Sequence, residues 1–393
     1  MLGALWRGVL GLVLLLGAAC GAPAAGGGAA SGAGGPAQPA GGAAGAQLTA
    51  ADAPVLGGLS GAERDRVEAL IHAARQEGEL DWLDAVVVPA SAVEMGEAFK
   101  ARYGLPDLQI HHERIQTAGV AARIQEEVKA DHVTVDVFAV ASPRLFYDLK
   151  AANALLQYDS PEYVHYDSSK KAGLTFEPGY WMSPVAYTFA PITNPKFFNK
   201  EIRSWNDVVD PQLRGKFEFP DVSGGEAALY TYIGLRKVMP TSFLAQLAAQ
   251  QPITNTGSSV SGTQKLASGE IWLSITLPSR LVQTVAQTGV PMNAYYPQEG
   301  VTMLGHPYGI LAKAPHPNAA KLFIDWLFGE EGQSMYVRLE GLSSGRDGLK
   351  IPDEVRPYSP PLAEIKSIPL DWKALDPKAM EAAREEFRGI FGR

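Results

Sequence analysis

Four hydroxyl residues, Ser91, Thr117, Ser142 and Ser223, each stand where a strand-like run gives way to a helix-like one. At such a junction the first-turn N–H groups have no partner within the helix. The aligned peptide dipoles add about half a positive charge, so the chemistry on offer is anion binding. The same hydroxyls suit the N-caps of their own helices, a role worth about 1 kcal/mol each. Capping and ligand contact are compatible. Gly224 and Gly225 follow Ser223 and leave the backbone open to close approach, whereas Glu226 completes a capping box with Ser223 and opposes a second negative charge there. Arg280, just past the apolar run Ile271 to Thr276, has the planar fork that binds carboxylate or phosphate in a bidentate manner. Glu299 is suited to accept from an amine or hydroxyl. His111-His112-Glu113 contains metal-ligand residue types, but adjacent strand residues point to opposite faces, which favours a solvated strand end.

These residues need elements to hold them. Ser60-Gly61-Ala62-Glu63 is a capping box before Val67, Leu70, Ile71 and Ala74 at helical spacing, with Gly78 as the stop. Ala85 to Val88 reads as a buried strand, and Ser91 to Glu94 as a second capping box opening a helix that ends near Gly104. Leu108 to His112 and Val133 to Val140 read as further strands, with a helix through Val120, Ile124 and Val128 between them. The alternation resumes with Lys216 to Phe219, a helix carrying Leu229, Tyr230 and Ile233, the strand Ile271 to Thr276 and the strand Tyr308 to Ala312. Pro317 opens an amphipathic helix whose apolar face includes Trp326, a core residue, and a last helix covers Pro377 to Phe391. Strand–helix alternation with short loops predicts an α/β fold with parallel sheets covered on both faces.

Composition narrows the function. The chain has 393 residues, 34 basic and 42 acidic side chains and a net charge of −8, so a surface devoted to nucleic acid is excluded. One cysteine, Cys20, rules out an internal disulfide and a cysteine-based zinc site. No P-loop, His-Glu-x-x-His or Gly-x-Ser-x-Gly pattern occurs, and no repeat at solenoid periods. No cofactor is expected.

Arg7, the apolar run Val9 to Leu16 and Gly17-Ala18-Ala19-Cys20 resemble a bacterial lipoprotein signal, in which the cysteine is lipidated and becomes the new N-terminus. Gly17 departs from the leucine usual in that box; the alternative is an ordinary secretory signal with an incidental cysteine. From Gly21 to Gln47 only Gly, Ala, Pro, Ser and Gln occur, the composition of a tether. The expected order is therefore a signal over 1–19 and a tether over 20–48, with the folded part held by lipid outside the cytoplasmic membrane.

The run Trp205-Asn206-Asp207-Val208-Val209-Asp210-Pro211-Gln212-Leu213-Arg214-Gly215-Lys216 resembles the W-x-D-L-x-x-P-x-x-x-G-K signature of ABC-importer solute-binding proteins. Ser268-Gly269-Glu270, Tyr296-Pro297-Gln298-Glu299-Gly300, His316-Pro317-Asn318-Ala319-Ala320-Lys321 with Phe323-Ile324-Asp325, and Glu330-Glu331-Gly332-Gln333 follow in order, similar to the branch that includes the ferric-ion binders. The resemblance spans Glu79 to Arg346 and implies a type II fold of two α/β lobes with a ligand cleft between them. It implies crossings near Ala186 to Pro191 and Tyr295 to Val301, hence one lobe from 49–188 and 300–393 and a second from 189–299. It also implies a monomer that closes on a solute and presents it to a membrane permease, without chemistry on the solute.

Within the resemblance, Ser223-Gly224-Gly225 matches the place where ferric relatives hold a synergistic anion, and Thr254-Asn255 and Ser258-Ser259 fall where relatives offer side-chain donors. Ferric relatives place a tyrosine pair where this chain reads Pro278-Ser279-Arg280. Their first-lobe glutamate and histidine positions read Val140-Ala141-Ser142 and Pro89-Ala90-Ser91. Tyr295-Tyr296 is a substitute pair of which at most one, Tyr296, reaches a cleft. Tyr180-Trp181 suits stacking on a ligand or packing near a crossover. The expected solute is a small organic anion such as a phosphonate, sugar phosphate or carboxylate. Fe(III), which wants phenolate, carboxylate or imidazole, is the alternative. A lipid-anchored hydrolase is a further alternative and would need a positioned nucleophile and base or paired carboxylates.

Overall fold

The computed structural model describes residues 47–222, 226–255 and 259–392. The expected signal, Cys20, nearly all of the tether, Ser223, Gly224, Gly225 and Ser258 lie outside the described residues. The chain runs through α1 (Gly61–Glu77), β1 (Glu79–Asp84), α2 (Pro89–Tyr103), β2 (Gln109–Arg114), α3 (Thr117–Lys129), β3 (Val137–Ala139) and α4 (Pro143–Ala151). Next come α5 (Asp167–Lys171), β4 (Phe176–Glu177), β5 (Trp181–Met182), β6 (Val185–Thr188) and β7 (Ala190–Thr193). The middle holds β8 (Phe217–Pro220), α6 (Glu226–Val238), α7 (Thr241–Ala249), β9 (Ile253–Asn255), α8 (Ser259–Ser268), β10 (Leu273–Thr276), α9 (Arg280–Thr288) and β11 (Asn293–Ala294). The last part holds β12 (Met303–Gly305), β13 (Tyr308–Ile310), α10 (Pro317–Phe328), α11 (Glu330–Glu340), β14 (Ser343–Ser344) and α12 (Pro377–Phe391).

Stop signals act as their chemistry requires. Gly104 closes α2 at φ 62°, and a β-carbon there would lie 1.8 Å from the carbonyl oxygen of Asp52, so only glycine fits. Three local expectations are corrected. The strand expected at Ala85–Val88 is β1, which ends at Asp84; in the loop beyond it the N–H groups of Val86, Val87 and Val88 bond to carboxylates instead of a neighbouring strand. The helix expected to be capped by Ser91 begins at Pro89, whose fixed φ suits a first helical position, so Ser91 lies inside it. The strand expected over Val133–Val140 shortens to Val137–Ala139.

Two mixed sheets share one topology. The six-stranded sheet has the order β2-β1-β3-β13-β5-β4, with β2, β1 and β3 parallel and β13 antiparallel to β3. The five-stranded sheet has the order β11-β7-β10-β8-β9, with β10, β8 and β9 parallel and β7 antiparallel to β10. A small sheet, β12-β6-β14, joins segments that pass from one large sheet to the other. The chain leaves it through β6 for β7 and comes back from β11 to β12.

Alternation along the strands fills both faces. In β1, Leu80 and Trp82 pack among α1, α2, α10 and α11 residues, whereas Leu83 turns toward Val120, Ile124 and Phe146 of α3 and α4. In the second sheet Phe217, Phe219, Leu273 and Ile275 face one core, and Ile192 faces a smaller one with Leu266 and Leu281. The expected boundary put all of 300–393 with the first lobe, but α12 packs on α6 and α7, and its Met380, Ala383 and Phe387 join the core of the second sheet. Their spacing makes one apolar stripe, and Phe387 meets Tyr232 edge-on at 5.2 Å. Among the described residues no helix is long and apolar enough to cross a membrane.

Phe387→Ala should lower the unfolding free energy by about 3–5 kcal/mol, the usual cost of emptying a buried phenylalanine site. Urea titration checks this, and an unchanged midpoint would detach α12 from the second core.

Candidate functional site

In each large sheet the second parallel strand lies on one side of the first and the third on the other, so the connections diverge at the carboxyl ends of β1 and β3, and of β8 and β10. Such switch points are where open α/β sheets hold ligands. Ser91 and Ser142 flank the first, at the starts of α2 and α4; Thr117 sits one strand farther out, at the start of α3. Arg280 is the first residue of α9, beside the second switch point, and Ser259 opens α8 one strand away, after Thr254 and Asn255 end β9. Five of the six helices that follow these parallel strands, α2, α3, α4, α8 and α9, have no acidic residue in the first turn; only α6 has one, Glu226. The Glu226 carboxylate accepts from the Tyr230 hydroxyl at 3.0 Å.

The first edge can be followed amide by amide. Pro89 and Pro143 have no N–H, and Ala92, Gly119 and Leu145 already donate to the carbonyls of Val88, Gln116 and Ser142. That leaves the N–H groups of Ala90, Ser91, Thr117, Ala118 and Arg144 without a partner among the described residues. Ser142 occupies the N-cap of α4 as expected, but its hydroxyl makes no cap bond, and neither Ser91 nor Thr117 caps its helix. For Ser91 and Thr117 the cause is a helix that starts three residues and one residue earlier, respectively, than the hydroxyl pattern suggests.

Behind this edge lies a buried anion that the sequence did not mark. Asp84 is fully buried; one oxygen accepts from Val86 N at 2.5 Å and Val87 N at 2.8 Å, the other from the Tyr308 hydroxyl at 2.6 Å. His306 Nε2, from the segment between β12 and β13, lies 3.2 Å from the carboxylate. Burial raises the Asp84 pKa, but His306 and the hydrogen bonds outweigh it and hold the carboxyl well below the ordinary range. Glu340, at the end of α11, accepts from Val88 N at 3.0 Å. Two protein carboxylates thus occupy three successive loop amides next to the site.

Two expected ligand residues have other partners, which corrects their assignment. Tyr296 donates its hydroxyl to the Tyr358 carbonyl at 2.6 Å, and burial pushes its phenol up, away from phenolate. Glu299 accepts from Ser204 Oγ at 2.5 Å and Trp205 N at 3.1 Å, while Trp205 Nε1 donates to the Gly300 carbonyl at 2.8 Å. Burial disfavours the Glu299 charge, yet these donors keep its carboxyl below the usual range. Trp181 is fully buried and bonded to Thr175, Tyr180 lies under the Lys150 ammonium, and Trp326 is core. His111 is exposed and His112 packs on Trp82, as a strand end would.

Asp81, Asp136 and His316 bring ligand-type atoms within 4.8 Å of one another at the amino ends of β1 and β3, away from the switch point. Asp136 is already engaged there, accepting from Asp81 N at 2.8 Å, His316 N at 2.6 Å and His316 Nδ1 at 2.9 Å, so the group ties β1 and β3 to the start of α10. Arg114, by contrast, was missed. It ends β2, is exposed, donates from Nε to the Val86 carbonyl at 3.2 Å and makes no ion pair among the described residues. A basic residue ending an alternating run three positions before Thr117 was the available signal.

Two sheets of like topology joined by crossing strands, the first with helix amides that have no partner among the described residues at its carboxyl edge, have the architecture of a two-lobed solute-binding protein of the type II class. Residues 94–358 match the family model described as bacterial extracellular solute-binding protein, and the chain belongs to that family. Its fold is similar to that of iron-bound HitA from Pseudomonas aeruginosa, at 17% identity over 79% of this chain and 99% of that one, with a TM-score of 0.62. It is also similar to the periplasmic binding protein AfuA from Actinobacillus pleuropneumoniae with exogenous fructose-6-phosphate bound, at 16% identity over 80% and 99% of the two chains, TM-score 0.63. Apo ferric ion-binding protein A from Pasteurella haemolytica gives 14% identity over 80% and 98%, TM-score 0.61. No curated protein matches the chain in sequence. The protein is a substrate-binding component of an ABC importer, acting outside the cytoplasm and delivering a small solute to a membrane permease.

Asp84→Asn should lower stability at pH 7 by about 3 kcal/mol, because His306 and the loop amides lose a buried charge. Folding lowers the Asp84 pKa, so its contribution is complete above about pH 4 and declines as the pH falls further. Urea titrations should therefore separate variant and wild type at pH 7, with the gap narrowing below about pH 4 and closing only at about pH 2 and below. A gap that persists there would show that the charge is not what Asp84 supplies.

Proposed function

We propose that the solute is a small organic anion, a phosphonate, sugar phosphate or carboxylate, and that the protein is held at the membrane by lipid on Cys20. The observation that carries the anion reading is the carboxyl edge of the first sheet. Ala90, Ser91, Thr117, Ala118 and Arg144 have N–H groups there with no partner among the described residues, and none of α2, α3 and α4 has an acidic side chain in its first turn. The hydroxyls of Ser91, Thr117 and Ser142 stand beside these amides and supply further donors. On the second sheet, α9 begins at Arg280 and α8 at Ser259, and the sequence adds Ser223, Gly224, Gly225 and Ser258 as further candidates for the same chemistry. Closure of the lobes removes water from such donors and strengthens their hold on a negative group.

Fe(III) fits less well. A ferric site needs phenolate or carboxylate donors, and here the Tyr296 hydroxyl is tied to Tyr358 while Glu299 holds Ser204 and Trp205. The position of the second-lobe tyrosine pair reads Pro278-Ser279-Arg280.

Thermal shift followed by calorimetry against phosphonates, sugar phosphates and carboxylates, with Fe(III)-citrate as comparator, tests the reading. At least one organic anion should bind, and Fe(III) should give no tyrosinate-to-iron absorption band. Iron binding with such a band, and no response to any organic anion, would reverse the assignment. The anchor is tested by cell fractionation: the natural chain should follow the membrane fraction, and Cys20→Ser should release it or leave it unprocessed. An unchanged distribution would exclude lipid on that cysteine.

A further inference from the structure

We infer that Arg114 is an anion-binding residue of the first lobe, taking a phosphonate, phosphate or carboxylate group of the solute on the two terminal nitrogens of its guanidinium. This inference rests on the anion reading of the cleft and deepens it by naming the first-lobe receptor.

Arg114 closes β2 at the carboxyl edge, directly opposite Asp84 in the parallel register with β1. Its Nε bond to the Val86 carbonyl draws the side chain across the end of β1, toward the switch point, and uses the one guanidinium nitrogen that a bidentate contact does not need. Val86 is itself a fixed support, since its N–H is held by the buried Asp84. The other arginines on this side of the sheet are neutralised: Arg123 by Glu113 and Glu127, and Arg144 by Asp148. Asp84, the nearest carboxylate in the register, lies beneath the surface with Val86, Val87, His306 and Tyr308 as its partners. Arg114 is therefore a positive charge whose terminal nitrogens have no partner among the described residues, held in place and flanked by the likewise unpartnered amides at the starts of α2 and α3. A solvated arginine needs no such support.

The test is calorimetry on the full chain with inorganic phosphate, phosphonoacetate and citrate as probes, at low and physiological salt. Arg114→Gln should weaken binding of the best probe by about ten-fold or more, the range of a charge-assisted hydrogen bond, and should flatten the salt dependence. Arg114→Lys, which keeps the charge and loses the fork, should fall between. Arg75, in the last turn of α1 before the amino end of β1, donates to the Gly104 carbonyl; Arg75→Gln should bind like wild type, and both Arg114 variants should unfold at the wild-type temperature without ligand. If Arg114→Gln binds the same probe within about two-fold of wild type, with the salt slope unchanged, the inference is wrong and the anion reading survives. If wild type binds none of the anions, the anion reading falls and takes this inference with it.

Discussion

A carboxylate with no access to water is stable only where donors surround it, and Asp84 organises the first lobe by that requirement. Its partners come from three places in the chain: the loop before α2, the antiparallel strand β13, and the segment after β12 that carries His306. Tyr308 is further bonded to Tyr336 of α11, and Glu340 of the same helix holds the next loop amide. Satisfying one buried charge therefore sets the path of the backbone into α2 and ties it to the segment that returns from the second sheet. The next amides, at Ala90 and Ser91, have no partner among the described residues.

A second clasp lies on the other side of the crossing. Two segments recognisable in the sequence, the one beginning at Trp205 and the one ending at Gly300, prove to be halves of one contact, in which Glu299 receives Ser204 and Trp205 and the Trp205 indole bonds to Gly300. The Gln298 N–H adds a bond to the Arg203 carbonyl. Residues that look like ligand donors when read along the chain are here the fastening of the return segment. Their chemistry was read correctly and their partner was not, because a carboxylate serves a backbone amide as readily as a solute.

A site made of helix ends has a further consequence. Backbone amides carry no residue identity, so the edge of such a sheet can hold a carboxylate, a phosphonate or a sugar phosphate with almost the same residues, and the choice falls to the side chains around it. Solved proteins of the same fold differ in cargo accordingly, one holding iron and another fructose-6-phosphate. Hinged lobes serve all of them, since the closed state needs only differential contact with whatever sits between the edges.

Amino-acid order alone determined the alternation of strands and helices, the limits of α12 at Pro377 and Phe391 and the stops at Gly78 and Gly104, because periodicity, proline and glycine act over a few neighbouring residues. It also determined the family, through short motifs kept in order. Long-range pairing decided the rest. Ala85 to Val88 is apolar enough for a strand, yet Asp84 and Glu340, the latter 252 residues away from Val88, claim its amides and leave it a loop. Whether Tyr296 and Glu299 face a solute, whether α12 joins the first core or the second, and whether Arg114 keeps its charge free all depend on which side chains meet across the fold. Local pattern has no access to that, since a hydrogen bond or an ion pair is chosen by distance in space and not by distance along the chain.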